Sequence, residues 1–422
     1  MTRYRWFILS LVFFVTTNNY LDRTVFSVLI PIIRDDLHIS TQQYGYITGT
    51  FQFAYAVGFL VVGGLIDRFG TRIGYAASIV WWSVAACLHS VSRSGLQLGV
   101  WRGLLGFGES GNFPSAIKAV AEWFPKKDRA FATGIFNAGT NVASMVGPPL
   151  FVWMAKRYGW RDCFLITGSI GFLLALIWWI VYRLPEVHRS VNKEELAYIR
   201  SGAVEVEPDR KIRWVEVLRY KETWGFAVAK FLTDPLWWFY LNWLPLYLYD
   251  VRKFKMLEVG WALPVVYLVA DFGSVGGGWL SGFLMRRGWP NSKARKTAMG
   301  VCAGLMPIAA LSVLAPSPVL AIALVSLANA SHQGWSANLF TTTSDVFPKR
   351  AVASVTSIGG CLGGLGGVLF SSLIPGFVIP LFGYKPVFLG MGFLHLIALS
   401  VVHTLMGRMQ PIRTTPSSSG AA

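Results

Sequence analysis

Charge is scarce in this chain. Asp, Glu, Lys and Arg make up 14% of its 422 residues, where a soluble domain carries about 25%. A soluble chain of this length would also usually divide into separate cores. Acidic residues are the scarcer kind, 21 against 38 Lys and Arg. The four cysteines, Cys87, Cys163, Cys302 and Cys361, show no metal-ligand spacing and sit in or beside apolar runs. They read as packing residues. No nucleophile–base pair, metal cluster or phosphate-binding loop is recognisable. That argues against a membrane-embedded enzyme, and neither metal nor cofactor is expected. A cleavable leader is also not evident. Arg3 and Arg5 precede an apolar stretch, but it lacks an A-x-A-like site and runs on through Asp22 and Arg23. The first helix is therefore expected to be retained.

Apolar residues are abundant, at 54%, and fall in long blocks such as Phe164 to Val181 and Val387 to Met406. A bilayer core takes about 20 apolar residues per helix, at ~1.5 Å rise each. Twelve spans are predicted, at 6–33, 44–66, 73–92, 95–123, 127–155, 159–183, 221–250, 257–285, 296–315, 317–345, 350–381 and 384–407. Backbone polar groups must be satisfied within lipid, which allows helices or a closed barrel. The runs are continuous rather than alternating, so the expectation is an all-α membrane protein of twelve transmembrane helices.

The net charge of +17 would suggest nucleic acid in a soluble protein. Here the basic residues lie scattered in short loops, and no nucleic-acid partner is expected. With both termini placed in the cytoplasm, cytoplasmic segments hold 25 of the 38 Lys and Arg residues and outside loops hold nine. This positive-inside bias fixes the orientation.

The polar stretch 184–220 separates six helices (1–183) from six (221–407) and reads as a cytoplasmic linker. Within it Asn192 and Glu195 resemble a helix cap, which predicts a short helix from about Lys193. The tail 408–422, rich in Ser, Thr and Pro, reads as disordered. The halves echo each other. Glu122-Trp123-Phe124-Pro125-Lys126 ends the fourth span, and Asp345-Val346-Phe347-Pro348-Lys349 ends the tenth. Such duplication is common in transporters, whose substrate sites lie near mid-membrane between the repeats. The central loop and short tail leave no room for the signalling domain of a transport-like sensor.

The turn after the second span reads Gly63-Gly64-Leu65-Ile66-Asp67-Arg68-Phe69-Gly70-Thr71-Arg72. A looser copy, Gly278-Trp279-Leu280-Ser281 and then Arg286-Arg287-Gly288, follows the eighth. The first stretch resembles the loop signature of the major facilitator superfamily. The resemblance implies two six-helix bundles. It also implies that Gly63, Asp67, Arg68, Gly70 and Arg72 form a gating loop that latches the outward-facing state. Gly63 and Gly64 would allow close helix approach, and Asp67 would accept bonds from neighbouring helix ends.

Tyr20-Leu21-Asp22-Arg23 and the run from Arg102 to Glu109 resemble the anion:cation symporter group of that superfamily. The run Lys230 to Tyr240 and the run His332 to Phe340 are similar to its bacterial hexuronate transporters. This resemblance implies a monomeric multi-pass protein of the bacterial inner membrane that moves protons with a small anionic sugar acid. A hexuronate is expected, with an aldonate, another carboxylate or phosphate as the alternative.

Ionisable residues at membrane depth cost about 2.5 to 3.5 kcal/mol each at a helix centre. Asp22, Arg23, Arg102, Glu109, Lys230 and Asp234 are such residues. Arg102 and Glu109 are seven apart and share a helix face, but at roughly 10 Å of rise they are too far apart for direct contact. Two pairings across helices are open: Asp22 with Arg102, or Arg23 with Glu109. A fixed salt-bridge network is the structural alternative to a working site. In the functional reading, Arg23 or Arg102 holds a carboxylate. Burial disfavours a charged carboxylate, so Asp22 and Glu109 are the proton-coupling candidates.

Further substrate-contact candidates are Tyr55, Asn137, Thr140, Lys230, Trp237, Trp238, Tyr240, His332, Gln333 and Asn338. The aromatic residues could stack on a sugar face or belong to the interface belt. Helix packing is the plainer assignment for His332. Asp234-Pro235 should interrupt regular helix pairing, as in helices that line cavities. The glycines of the eleventh span suit close contact, sliding or static.

Overall fold

The computed structural model describes residues 2–125, 128–201 and 214–412, and every regular element among them is helical. Spans 1 to 12 are Tyr4–Leu37, 41–69, 71–89, 95–123, Arg129–Tyr158, Trp160–Val181, Lys221–Asp250, Met256–Arg286, Asn291–Leu314, Pro318–Val346, 349–382 and Lys385–Leu405. Each predicted span has its helix. Residues 202–213 of the linker, and the tail beyond Ile412, lie outside the described residues. The first residues of the expected tail are packed: Met409 is buried, and the Ile412 amide donates to the Val346 carbonyl at 2.8 Å.

Local chemistry sets the breaks. Spans 2 and 3 run on through Gly70, whose φ of 81° and ψ of 160° lie in a region open mainly to glycine. Ser40 caps span 2 by accepting from the Gln43 amide, with Gln43 answering as a capping box. Asn192 caps the linker helix Lys193–Arg200 through the Glu195 amide at 2.9 Å. The Glu195 side chain then reaches back to Arg5 at 3.1 Å, tying the linker to the start of span 1.

Six helical segments among the described residues are long and apolar enough to cross a bilayer: Thr41–His89, Trp160–Val181, Met256–Arg286, Asn291–Leu314, Ser354–Phe382 and Lys385–Leu405. Spans 1, 4, 5, 7 and 10 fall short of that criterion. They also carry every site candidate outside the gating loop except Tyr55. Polarity has moved from the lipid-facing helices into those that line the interior.

Spans 1–6 pack among themselves, as do spans 7–12. The two halves meet through spans 1 with 7, 2 with 11, and 5 with 8. These contacts crowd the end that the charge bias assigns to the outside. Arg34 forks onto Asp250 at 2.6 and 2.9 Å. The Tyr44 hydroxyl donates to the Asn242 carbonyl at 2.5 Å. Gln52 bonds Ser371 and Ser372 at 2.9 and 3.1 Å, within a π-helical stretch, Gly367–Leu373, of span 11. Toward the other end the last of these contacts is Ala56 against Gly364. Beyond it, a Cβ added at Gly63, Gly64 or Gly360 would meet nothing within 4 Å. Among the described residues, the contacts named between the halves gather toward the outer end.

Glycines of span 11 bring it onto span 7. The helix continues through Pro235 rather than breaking there, because Pro removes one bond, from residue 235 to the carbonyl of residue 231. The backbone at Gly366 packs over that same Phe231 carbonyl, where a Cβ would stand 2.0 Å from the oxygen. Gly366→Ala should therefore cost about 1–3 kcal/mol through overpacking. Gly360→Ala should be neutral or mildly stabilising. Thermal unfolding of both variants in detergent tests this, and equal stability would show that the close approach is dispensable.

Candidate functional site

Span 1 presents its two charges to different neighbours, as adjacent helix positions separated by about 100° must. Asp22 turns into the N-terminal bundle, where Asn18, one turn back, donates to it at 2.9 Å. Arg23 turns toward the junction of the halves. Its Nε donates to Glu109 Oε2 at 2.8 Å, and Nη2 lies 2.8 Å from the same oxygen. Glu109 Oε1 has no hydrogen-bond partner among the described residues. Of the two open pairings, the structure has Arg23 with Glu109.

Aromatic rings enclose that guanidinium. Tyr20 and Tyr55 lie 4.6 Å from its carbon, Trp238 5.3 Å and Phe51 5.4 Å. Trp238 comes from span 7, so both halves build the cage. Tyr20 and Phe51 were not among the sequence candidates. The available signal was helical spacing: Tyr20 is three residues before Arg23, and Phe51 four before Tyr55.

Arg102 lies deeper and does not meet Asp22. Its guanidinium sits between Phe51 at 4.5 Å and Phe26 at 4.8 Å, and its two Nη atoms lie 3.4 Å from the Arg23 carbonyl oxygen. No described carboxylate lies within ion-pair distance of it. Arg102 thus brings a positive charge with no direct partner to the back of the site.

In span 7, Lys230, Asp234 and Trp238 share one face at four-residue spacing. The Lys230 ammonium pairs with Asp234 Oδ2 at 2.7 Å and lies 4.1 Å from the Phe340 ring centre. Glycines make room: a Cβ at Gly363 would stand 2.2 Å from Asp234 Oδ2, and one at Gly359 would stand 3.0 Å from the Lys230 stem.

The remaining candidates stay outside this cluster. Tyr240 is turned away from the junction and packs against Phe239 and Phe388, because two positions along a helix point it away from Trp238. Trp237 packs on Tyr267 at 5.8 Å. His332 contacts His395 at 3.2 Å inside the C-terminal bundle. Asn338 bonds the Gly277 and Gly334 carbonyls, holding span 10 against span 8. Gln333 is half-buried on span 10 and Asn137 is exposed on span 5, while Thr140 donates to the Asn137 carbonyl at 2.8 Å. Tyr44, near the outer end of span 2, is buried in the contact between the halves.

The loop at the inner end departs from expectation in two respects. A Cβ at Gly63 or Gly64 would meet nothing within 4 Å, so neither makes the close helix approach expected. Asp67 accepts from Lys118 at 2.7 Å rather than from helix ends. Arg72 donates to the Trp179 carbonyl at 2.6 Å, and the Arg68 guanidinium lies 5.6 Å from the Phe69 ring. Next to it, Glu122 accepts from Thr71 at 2.7 Å and from Tyr182. In the second half Asp345 takes Arg295 at 3.0 Å. The echoed acids at the ends of spans 4 and 10 thus each anchor neighbouring helices.

The sequence profile described as the Major Facilitator Superfamily matches residues 12–371. The chain is 33% identical to a hexuronate transporter of Escherichia coli strain K12, over 95% of this chain and 94% of that one. It is 30% identical to a probable galactarate/D-glucarate transporter of Bacillus subtilis, over 90% and 86%. Its fold resembles that of a bacterial homologue of the human lysosomal transporter Spinster, solved inward-facing and occupied, with TM-score 0.72 at 20% identity and 97% coverage of both chains. This chain belongs to the Major Facilitator Superfamily and is a multi-pass membrane transporter, not an enzyme.

Proposed function

We propose that this transporter imports a small sugar acid, a hexuronate such as galacturonate or glucuronate, together with protons across a bacterial inner membrane. The observation that carries the reading is the Arg23–Glu109 pair inside an aromatic cage built by both halves. The identity to a hexuronate transporter supports the substrate class.

The chemistry follows from the pair. While Glu109 is charged, it holds Arg23. A proton on Glu109 removes the partner charge, and the guanidinium is then free to fork onto the substrate carboxylate. Tyr55 and Trp238 offer faces on which an apolar sugar surface can stack. Arg102 adds uncompensated positive charge behind the anion. Asp22, in its own polar niche beside Asn18, is the second proton carrier. Each half, 1–183 and 221–407, then moves as a body, and the gathering of contacts at the outer end supports reading this as the inward-open arrangement. Release of the proton re-forms the Arg23–Glu109 pair and expels the anion.

Glu109→Gln should abolish proton-driven accumulation of galacturonate in proteoliposomes while leaving counterflow exchange. Loss of both would assign Glu109 a structural role. Arg102→Ala should weaken binding by about tenfold or more, the scale of one charge-assisted interaction, and unaltered affinity would contradict its part. Two protons per monoanion carry net charge inward, gaining about 2.3 kcal/mol per 100 mV. Uptake should therefore produce a current, and electroneutral uptake would rule out the second proton.

A further inference from the structure

Relatives of this chain include carriers named for acids with one carboxylate and with two: hexuronate on one side, galactarate and D-glucarate on the other. The site's charges distinguish these classes. Across the junction from Arg23, the cation on the cage-lining face of span 7 is Lys230, and it is already matched. Its ammonium lies 2.7 Å from Asp234 Oδ2, one helical turn along the same face. Lys230 is buried, whereas the Asp234 side chain keeps 19% of its surface exposed. Span 7 therefore presents the carboxylate rather than the ammonium.

Span 11 holds that carboxylate in place. At position 363 there is no side chain, and a Cβ there would overlap Asp234 Oδ2 at 2.2 Å. The Lys230 stem lies against Gly359 in the same way. Trp238, on the same face, lies 5.3 Å from the Arg23 guanidinium. Asp234 sits one turn toward the inner end from Trp238, about 6 Å along the helix. Asp234 is thus the next polar side chain met along this face from Trp238 toward the inner end.

Resting on the sugar-acid reading, we propose that Asp234 is a specificity-determining residue that accepts a hydroxyl at the far end of a monocarboxylate sugar acid and rejects an aldarate. A terminal hydroxyl or a ring hydroxyl is a donor and can bond Asp234. A second carboxylate is an acceptor only, and it would face Asp234 with like charge. Rejection by like charge is a standard route to specificity. Lys230 serves Asp234 here as a positioning residue, holding the carboxylate through the 2.7 Å ion pair.

The test is uptake of radiolabelled galacturonate and galactarate by the full-length protein in proteoliposomes. The wild type should prefer galacturonate by at least about tenfold. Asp234→Asn removes the repelling charge and frees the Lys230 ammonium, so the preference should fall by about tenfold or reverse. Should Asp234→Asn fail to fold, the charge-balanced Lys230→Gln/Asp234→Asn pair should still narrow the preference, because no carboxylate then faces the far end. Wild-type uptake of galactarate as fast as galacturonate would overturn the filter while leaving sugar-acid transport intact. An unchanged ratio in the variants would do the same. Uptake of neither acid by the wild type would overturn both readings.

Discussion

A guanidinium and a carboxylate lie against each other at the junction of the two six-helix halves, and the rest of the structure is arranged around that pair. Either charge alone would cost about 2.5 to 3.5 kcal/mol at membrane depth. Together Arg23 and Glu109 offset much of that cost, but only while both remain charged and close. Removing one charge leaves the other needing a new partner. In the proposed mechanism a carboxylate ligand supplies it, and this links proton and anion. The pair engages one oxygen of Glu109 and leaves the other without a protein partner. It is therefore held less tightly than a fully forked salt bridge, and that suits a contact that must open.

The surrounding packing makes the opening directional. Polar contacts seal the outer end: the forked Arg34–Asp250 pair, Tyr44 on the Asn242 carbonyl, and Gln52 on two serines of a π-helical turn. They sit on an apolar cluster that both halves build, including Phe26, Leu29 and Ile33 from span 1 and Trp243, Leu244 and Tyr247 from span 7. Within the C-terminal half, backbone at Gly363 and Gly366 meets span 7 with no space for a Cβ. Gly45 of span 2 and Gly376 of span 11 meet just as closely across the halves. Close glycine packing therefore holds spans both within a half and between the halves.

Much of this was legible in the sequence. Twelve spans follow from the length of the apolar runs, and the polar lining follows from charges that lipid would not tolerate. Asp22, Arg23, Arg102, Glu109, Lys230 and Asp234 stand out for that reason alone. Choosing between the two salt-bridge pairings needed the rotation of span 1 relative to span 4, which no local pattern encodes. His332 and Asn338 failed to join the cluster because polarity marks a residue that needs a partner, not where the partner is. His395 and the Gly277 carbonyl, both within the C-terminal half, answered that need. Gln52, Ser371 and Ser372 escaped notice because uncharged polar residues are common in membrane helices. Gly63 and Gly64 read as contact-forming, but a Cβ at either would meet nothing within 4 Å.

Proton uptake on ligand binding tests the coupling of Arg23 and Glu109 most directly. Titrating purified protein with galacturonate calorimetrically, in buffers of differing ionisation enthalpy, reports the protons taken up per ligand bound. At a pH where Glu109 is ionised in the free protein, the account predicts net uptake approaching one proton through Glu109, and its loss in Glu109→Gln. Binding of galacturonate without proton uptake at every pH would contradict it.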